Sequence, residues 1–200
     1  MTRKAGRSIS TKLLLPGILA GLLLQLALGM APSAFAANQK ATVEGHNPGH
    51  TAPGPLPNFH QVHPYLFRGG QPDRQGVDKL HVMGIKTVID LRAQTADTKA
   101  EKAQVEGLGM RYIILPMSDK APSQKQVDTF IETTSEAKAK GEPVYVHCAH
   151  GSDRTGCMVG IWRVSQDGFS YDQAYKEMRQ YYFGPQFKQL SQAVKQRATK

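Results

Sequence analysis

The chain has 200 residues, 40% of them hydrophobic and 20% charged, with a formal net charge of +9. Four of the 25 Lys and Arg residues but none of the 16 Asp and Glu lie before Ala37, so the remainder carries +5, a modest and scattered excess that excludes a nucleic-acid footprint. With 2 cysteines, Cys148 and Cys157, at most one internal disulfide is possible.

Arg3, Lys4, Arg7 and Lys12 precede an apolar stretch from Leu13 to about Met30, and Ala34-Phe35-Ala36 then places small residues where a signal peptidase reads. This tripartite form predicts a cleaved secretory signal over residues 1–36 and an exported protein, periplasmic if the source is a bacterium. The competing reading, an uncleaved N-terminal membrane anchor, is weakened by Pro16, Gly17, Gly21, Gln25 and Gly29, which dilute the apolar run. Residues 37–57 turn to Gly, Pro, Asn, Thr and His, cannot bury enough surface to fold alone, and read as a flexible linker. His46, His50, His60 and His63 share no ligand-like spacing with a Cys or carboxylate, so no metal is expected on them.

Residues 58–200 are the size of one domain. Strand-like runs at Tyr65 to Arg68, Thr87 to Leu91, Arg111 to Leu115 and Val144 to His147 alternate with helical patterns. The helices are predicted near Asp73 to Met83, Thr98 to Leu108, Ser123 to Lys140, Thr155 to Gln166, Tyr171 to Tyr181 and Phe187 to Arg197. The alternation predicts an α/β domain: a central, mostly parallel sheet of four to five strands with helices on both faces.

The most informative segment is His147-Cys148-Ala149-His150-Gly151-Ser152-Asp153-Arg154-Thr155-Gly156. It joins the end of a buried strand to the start of a helix, the place where open α/β sheets bind ligands. Successive backbone N–H groups and the positive end of the helix dipole can hold a phosphoryl group there, with Gly151 providing the freedom to curl. Arg154 adds a planar fork that grips two phosphate oxygens. The same field favours the thiolate form of Cys148. The segment therefore predicts a phosphate trap, formed by Ala149, His150, Gly151, Ser152, Asp153 and Arg154, with a nucleophile in it. A structural bridge from Cys148 to Cys157 would abolish that nucleophile, and Cys157, just inside the helix, is expected to be buried and unbridged.

The Cys-x5-Arg-Thr segment resembles the phosphate loop of the protein tyrosine phosphatase superfamily, and within it the compact dual-specificity-like phosphatases, especially a bacterial group with similar flanking sequence, which, with the predicted signal, implies export to the bacterial periplasm. Tyr65-Leu66-Phe67-Arg68-Gly69-Gly70-Gln71-Pro72, Gly84 to Arg92, and Tyr175-Lys176-Glu177-Met178 ahead of Phe183-Gly184 are also similar, so the likeness runs from about Asn58 to the C-terminus. The resemblance implies hydrolysis in two steps: Cys148 attacks phosphorus to give a cysteinyl-phosphate, while Arg154 and the loop amides hold the equatorial oxygens. It assigns Thr155 to the departing thiolate and His147 to orienting the loop, and it requires no metal or organic cofactor. The leaving oxygen needs a proton. Asp119, in the loop after the strand ending at Leu115, is the acid the resemblance favours; Asp153 is a rival, and Asp97 and Asp128 are poor alternatives. The loop carries no lysine of the kind relatives use to hold extra phosphates, which favours protein phosphotyrosine, then phosphoserine or phosphothreonine, over an inositol phosphate or another small phosphoester. The partner expected is thus a phosphorylated protein, with membrane contact only if the N-terminal segment is not cleaved. Two other classes compete: a rhodanese-like sulfur carrier, which lacks the Arg-Thr-Gly ending, and a catalytically silent phosphate-binding module.

Overall fold

A computed structural model describes residues 54–198. The predicted signal over residues 1–36 and most of the predicted linker lie outside the described residues. Among those described, no helix is long and apolar enough to cross a membrane.

The elements in chain order are β1 (His60–His63), β2 (Leu66–Gly69), α1 (Arg74–Val82), β3 (Thr87–Asp90), α2 (Ala96–Gly107) and β4 (Arg111–Ile114). There follow α3 (Gln124–Lys140), β5 (Val144–His147), α4 (Asp153–Gln166), α5 (Tyr171–Gln180) and α6 (Lys188–Ala198). The sheet order is β1-β2-β5-β3-β4. Strands β2, β5, β3 and β4 run parallel, and β1 pairs antiparallel with β2 at one edge. This is the predicted α/β architecture with its five-stranded, mostly parallel sheet. Strand β1 escaped the sequence reading because His60-Gln61-Val62-His63 shows no β-branched run; its pairing with β2 through His60↔Arg68 defines it.

Every residue of β2, β3 and β5 is buried, as expected for parallel strands covered on both faces. Side chains alternate between two cores. On one face Phe67, Val88 and Tyr145 meet Val77 and Leu80 of α1 and Val105 of α2. On the other, Leu66, Ile89, Val144 and Val146 meet Val127 and Phe130 of α3, Ile161 and Trp162 of α4, and Leu190 and Val194 of α6. Helix α4 is the hub of that second layer: Thr155 to Trp162 are all buried.

Helix boundaries follow local chemistry. Ser123 and Ser170 open α3 and α5 with reciprocal capping boxes to Gln126 and Gln173. Thr95 does the same for α2 through Thr98, so that helix begins at Ala96 rather than at the predicted Thr98. Gly141, with φ 66°, closes α3 in the left-handed region.

Residues 54–57, read as the end of the linker, pack onto the domain. The Pro55 carbonyl accepts from Asp73 N at 3.1 Å, the Pro57 carbonyl accepts from Gly70 N at 2.7 Å, and Leu56 rests on the α1–α2 core. The folded unit therefore begins no later than Pro55, before the expected boundary at 58.

Candidate active site

Strand β5 lies between β2 and β3, so its C-terminal end opens into the middle of the sheet edge. The chain then curls through Cys148 to Ser152 and enters α4 at Asp153. Three successive carbonyls of this loop bond outward. Ala149 O accepts from Gln71 N at 3.1 Å, His150 O from Asn58 Nδ2 at 3.2 Å, and Gly151 O from Arg68 Nη2 at 2.7 Å. In a trans, planar peptide the N–H of the following residue points opposite to the carbonyl. The amides of His150, Gly151 and Ser152 consequently face the concave side, where Gly151 N donates to Cys148 Sγ at 3.3 Å. Together they form a nest of the kind that binds anions, with the Cys148 thiol inside it.

Gly151 is required twice over. Its φ is +75°, and a Cβ there would lie 2.4 Å from the Gly69 carbonyl carbon and 2.6 Å from Gly70 N. Ser152 occupies the N-cap position of α4 without a side-chain capping bond. The start of α4 thus lacks the side-chain cap that opens α1, α2, α3 and α5.

Arg154, the first cation of α4, is half-buried and has neither a hydrogen bond nor an ion pair among the described residues, so its fork is free to grip phosphate. Thr155 is fully buried with Oγ1 at a long 3.5 Å from Gly69 O. Cys148 is 2% exposed. Cys157 is fully buried, donates to Leu190 O at 3.4 Å, and is pushed by burial up to about 12, which makes it inert. Both thiols are free.

Beneath the loop lies a buried ionic cluster that sequence reading did not find. His147, fully buried, places Nδ1 3.2 Å from Cys148 O and Nε2 2.9 Å from Glu101 Oε1, the second contact lying off the hydrogen-bond line. Arg92 bridges the acids, with Nη2 2.6 Å from Asp90 Oδ2 and 2.5 Å from Glu101 Oε2. Tyr112 donates to Asp90 Oδ2 at 2.5 Å. Burial alone would raise the Asp90 carboxyl, but the bonds from Arg92 and Tyr112 and the nearby His147 outweigh it and hold the group below its ordinary value. Asp90, Glu101 and His147 offer ligand atoms within 4.8 Å of one another. The Arg92 guanidinium already meets the charge of both carboxylates, which identifies the cluster as a support for His147 rather than a cation cradle.

The acid candidates separate. Asp153 is half-buried and its Oδ1 accepts from Gly184 N at 2.8 Å, tying the loop to the segment between α5 and α6. Burial raises its carboxyl above the ordinary value against that bond. Asp119 is exposed, in the loop that leaves the C-terminal end of β4, at the same sheet edge as the Cys148 loop because the strands are parallel. Asp97 lies in the first turn of α2, and Asp128, exposed on α3, accepts from Gln124 Nε2 at 2.6 Å. His60 and His63 do not join: His60 pairs with Asn58 Oδ1 at 3.1 Å and His63 with Asp167 Oδ2 at 2.8 Å, while His46 and His50 lie outside the described residues.

Two loop braces, Asn58 and Arg68, were missed as site residues. Asn58 is 6% exposed with φ 49°, a conformation that favours Asn. For Arg68 a signal existed: a charged residue inside the apolar run Leu66-Phe67-Arg68-Gly69.

Comparison with known proteins gives a family match and solved structures of similar fold. Residues 55–196 match the family model described as "DSP-PTPase phosphatase fused to NAD+ Kinase". The dual specificity protein phosphatase TpbA of Pseudomonas aeruginosa is 28% identical over 130 residues, 65% of this chain and 57% of its own length. Probable NAD kinase 2, chloroplastic, of rice (Oryza sativa subsp. japonica) is 33% identical over 103 residues, 49% of this chain and 10% of the plant protein. The chain thus spans little more than half of TpbA and a small part of the plant protein. The crystal structure of TpbA superposes with a TM-score of 0.59 at 23% identity, covering 70% of this chain and 84% of that one. A cysteine-to-serine TpbA in complex with phosphotyrosine gives 0.59 at 21%, covering 71% and 88%.

Proposed function

The chain belongs to the DSP-PTPase phosphatase family, and from that premise we propose that it is a cysteine-dependent phosphatase that hydrolyses phosphotyrosine on proteins, and secondarily phosphoserine and phosphothreonine, in an exported location. The observation that carries the chemistry is the loop whose carbonyls bond outward and whose Gly151 amide meets Cys148 Sγ. The Cys148 thiolate attacks phosphorus as the ester P–O bond breaks, and Arg154 and the inward amides hold the three equatorial oxygens. Asp119 gives its proton to the leaving oxygen. Water then attacks the cysteinyl-phosphate, Asp119 takes up the water's proton, Thr155 receives the departing thiolate in a hydrogen bond, and phosphate is released.

Asp119 is preferred to Asp153 because the latter already accepts from Gly184 N. The protein substrate is supported by the absence of any Lys or Arg between Cys148 and Arg154 and by the Asp153 carboxyl, which disfavours a second phosphate nearby. TpbA, a relative, has been captured with phosphotyrosine. Export rests on the N-terminal pattern of basic, apolar and small residues.

The test is hydrolysis of para-nitrophenyl phosphate and a phosphotyrosine peptide in chelator, with Cys148→Ser and Asp119→Asn beside wild type. Turnover by wild type, none by Cys148→Ser, and at least a tenfold loss in Asp119→Asn are expected. Full activity in Asp119→Asn with loss in Asp153→Asn would transfer the acid role, and preference for an inositol phosphate over the peptide would replace the substrate.

A further inference from the structure

Arg68 is a charged side chain with no surface. It lies on β2 opposite Val146 of β5 and is fully buried. Nη2 donates to Gly151 O at 2.7 Å, whereas Nε and Nη1 find no acceptor among the described residues. Its guanidinium carbon sits 4.4 Å from the centre of the Tyr181 ring at the end of α5. A buried guanidinium that lacks a counter-ion is strongly unfavourable, and natural proteins retain one where another group answers its charge.

The groups around Arg68 show which one that is. Glu177 of α5 is taken by Arg163 of α4, whose Nε lies 2.9 Å from Glu177 Oε2. Tyr181 offers its ring face. His60 of β1 is driven down to about 4 by burial and by Arg68 itself, so it is neutral and neither competes with nor compensates the cation. No carboxylate lies within 4 Å of Arg68 among the ion pairs of the described residues. Tyr181, Glu177 and Cys148, in that order, each favour the charged guanidinium; of the three, Cys148 is the one joined to Arg68 through the loop, because the Gly151 carbonyl accepts from Arg68 and the Gly151 amide donates to Cys148 Sγ. Burial brings the guanidinium down to about 10, which leaves it charged at neutral pH.

We propose that Arg68 is a positioning residue that acts from behind the phosphate loop: its bond to the Gly151 carbonyl turns the loop amides inward, and its charge stabilises the Cys148 thiolate without touching substrate. The proposal rests on the phosphatase reading above. It explains why a charged residue stands in a strand whose other positions are apolar or Gly. Arg154 and Arg68 then flank the loop, one on the substrate side and one on the core side, and only the first is half-exposed.

The test follows alkylation of Cys148 by iodoacetamide against pH in the full chain, located by peptide mass spectrometry, for wild type, Arg68→Met and Arg68→Lys. Arg68→Met is expected to move the midpoint of reactivity up by about one pH unit and to lower kcat for para-nitrophenyl phosphate at pH 6 about tenfold with little change in KM. Arg68→Lys, which keeps the charge, is expected to hold the midpoint within a few tenths of a unit. An unmoved midpoint in a cooperatively melting Arg68→Met protein, or an Arg68→Lys midpoint displaced as far as that of Arg68→Met, overturns the proposal. Should Arg68→Met not fold, the Arg68→Lys midpoint decides: retained it supports the role, displaced by a full unit it refutes it. Because alkylation needs no turnover, these outcomes are distinct from failure of the phosphatase reading, which would appear as a wild-type enzyme inert toward every phosphoester.

Discussion

A single backbone angle at Gly151 shows how tightly the site is built. Any side chain there meets both an unfavourable φ of +75° and the backbone of Gly69 and Gly70 at 2.4 to 2.6 Å. Gly151→Ala is therefore expected to cost about 3 kcal/mol or more in urea unfolding and to abolish turnover, since the loop can relieve the clash only by leaving β2. A variant of wild-type stability and rate would refute that packing. His60 makes the second residue-scale prediction. Its folded-state value, lowered to about 4 from 6.5, means that the unfolded chain binds more protons between those pH values. The stability it contributes is complete above 6.5 and declines as pH falls toward 4. His60→Phe should flatten the dependence of unfolding free energy on pH in that window, and parallel curves for the two proteins would show that His60 is not the group responsible.

Among elements, the helix starts separate structural from chemical positions. Asp73, Thr95, Ser123 and Ser170 each accept a backbone N–H at the start of their helices, whereas Ser152 of α4 does not. Ser123→Ala and Ser170→Ala should each lower stability by about 1 kcal/mol, and Ser152→Ala by clearly less, as read from denaturant midpoints. Equal losses at all three would mean that α4 is capped like the others and that its amides are not held for an anion. Strand β1 and the Pro55-to-Asn58 segment carry a related lesson. They contribute no nucleophile or acid, yet Asn58 bonds the His150 carbonyl and Pro57 bonds Gly70, so the entry to the domain also braces the loop.

At the scale of the molecule, the parallel sheet gathers the ends of β2, β5, β3 and β4 at one edge, and the loop after β2 bonds the Cys148 segment there through Gln71 N and Ala149 O. An oxyanion bound to that nest should stabilise the whole domain by mass action, about 2.7 kcal/mol at a hundredfold excess over its Kd. Melting temperature should rise with phosphate in wild type and in Cys148→Ser, and much less in Arg154→Met, which keeps the loop but loses the fork. A shift of the same size in Arg154→Met would place the anion elsewhere.

Cys148, Gly151, Arg154 and Thr155 were legible in the sequence because a phosphate loop is local: its residues are neighbours in the chain and their offsets carry the chemistry. The alternation of strands and helices was legible for the same reason, since hydrophobic period is a local property, and with it the α/β class. What supports the loop was not. Asn58, Arg68 and Glu101 stand 92 residues from His150, 83 from Gly151 and 46 from His147, and as single polar residues they look like any others until β2 pairs with β5 and α2 packs below. Asp153 likewise showed its tie to Gly184, 31 residues away, only once α5 had folded back. The sequence by itself determined the spacing of the candidate reacting groups; the tertiary structure decided how the loop's carbonyls are held and its amides aimed, because hydrogen bonds between distant segments depend on where folding brings them and not on their order in the chain.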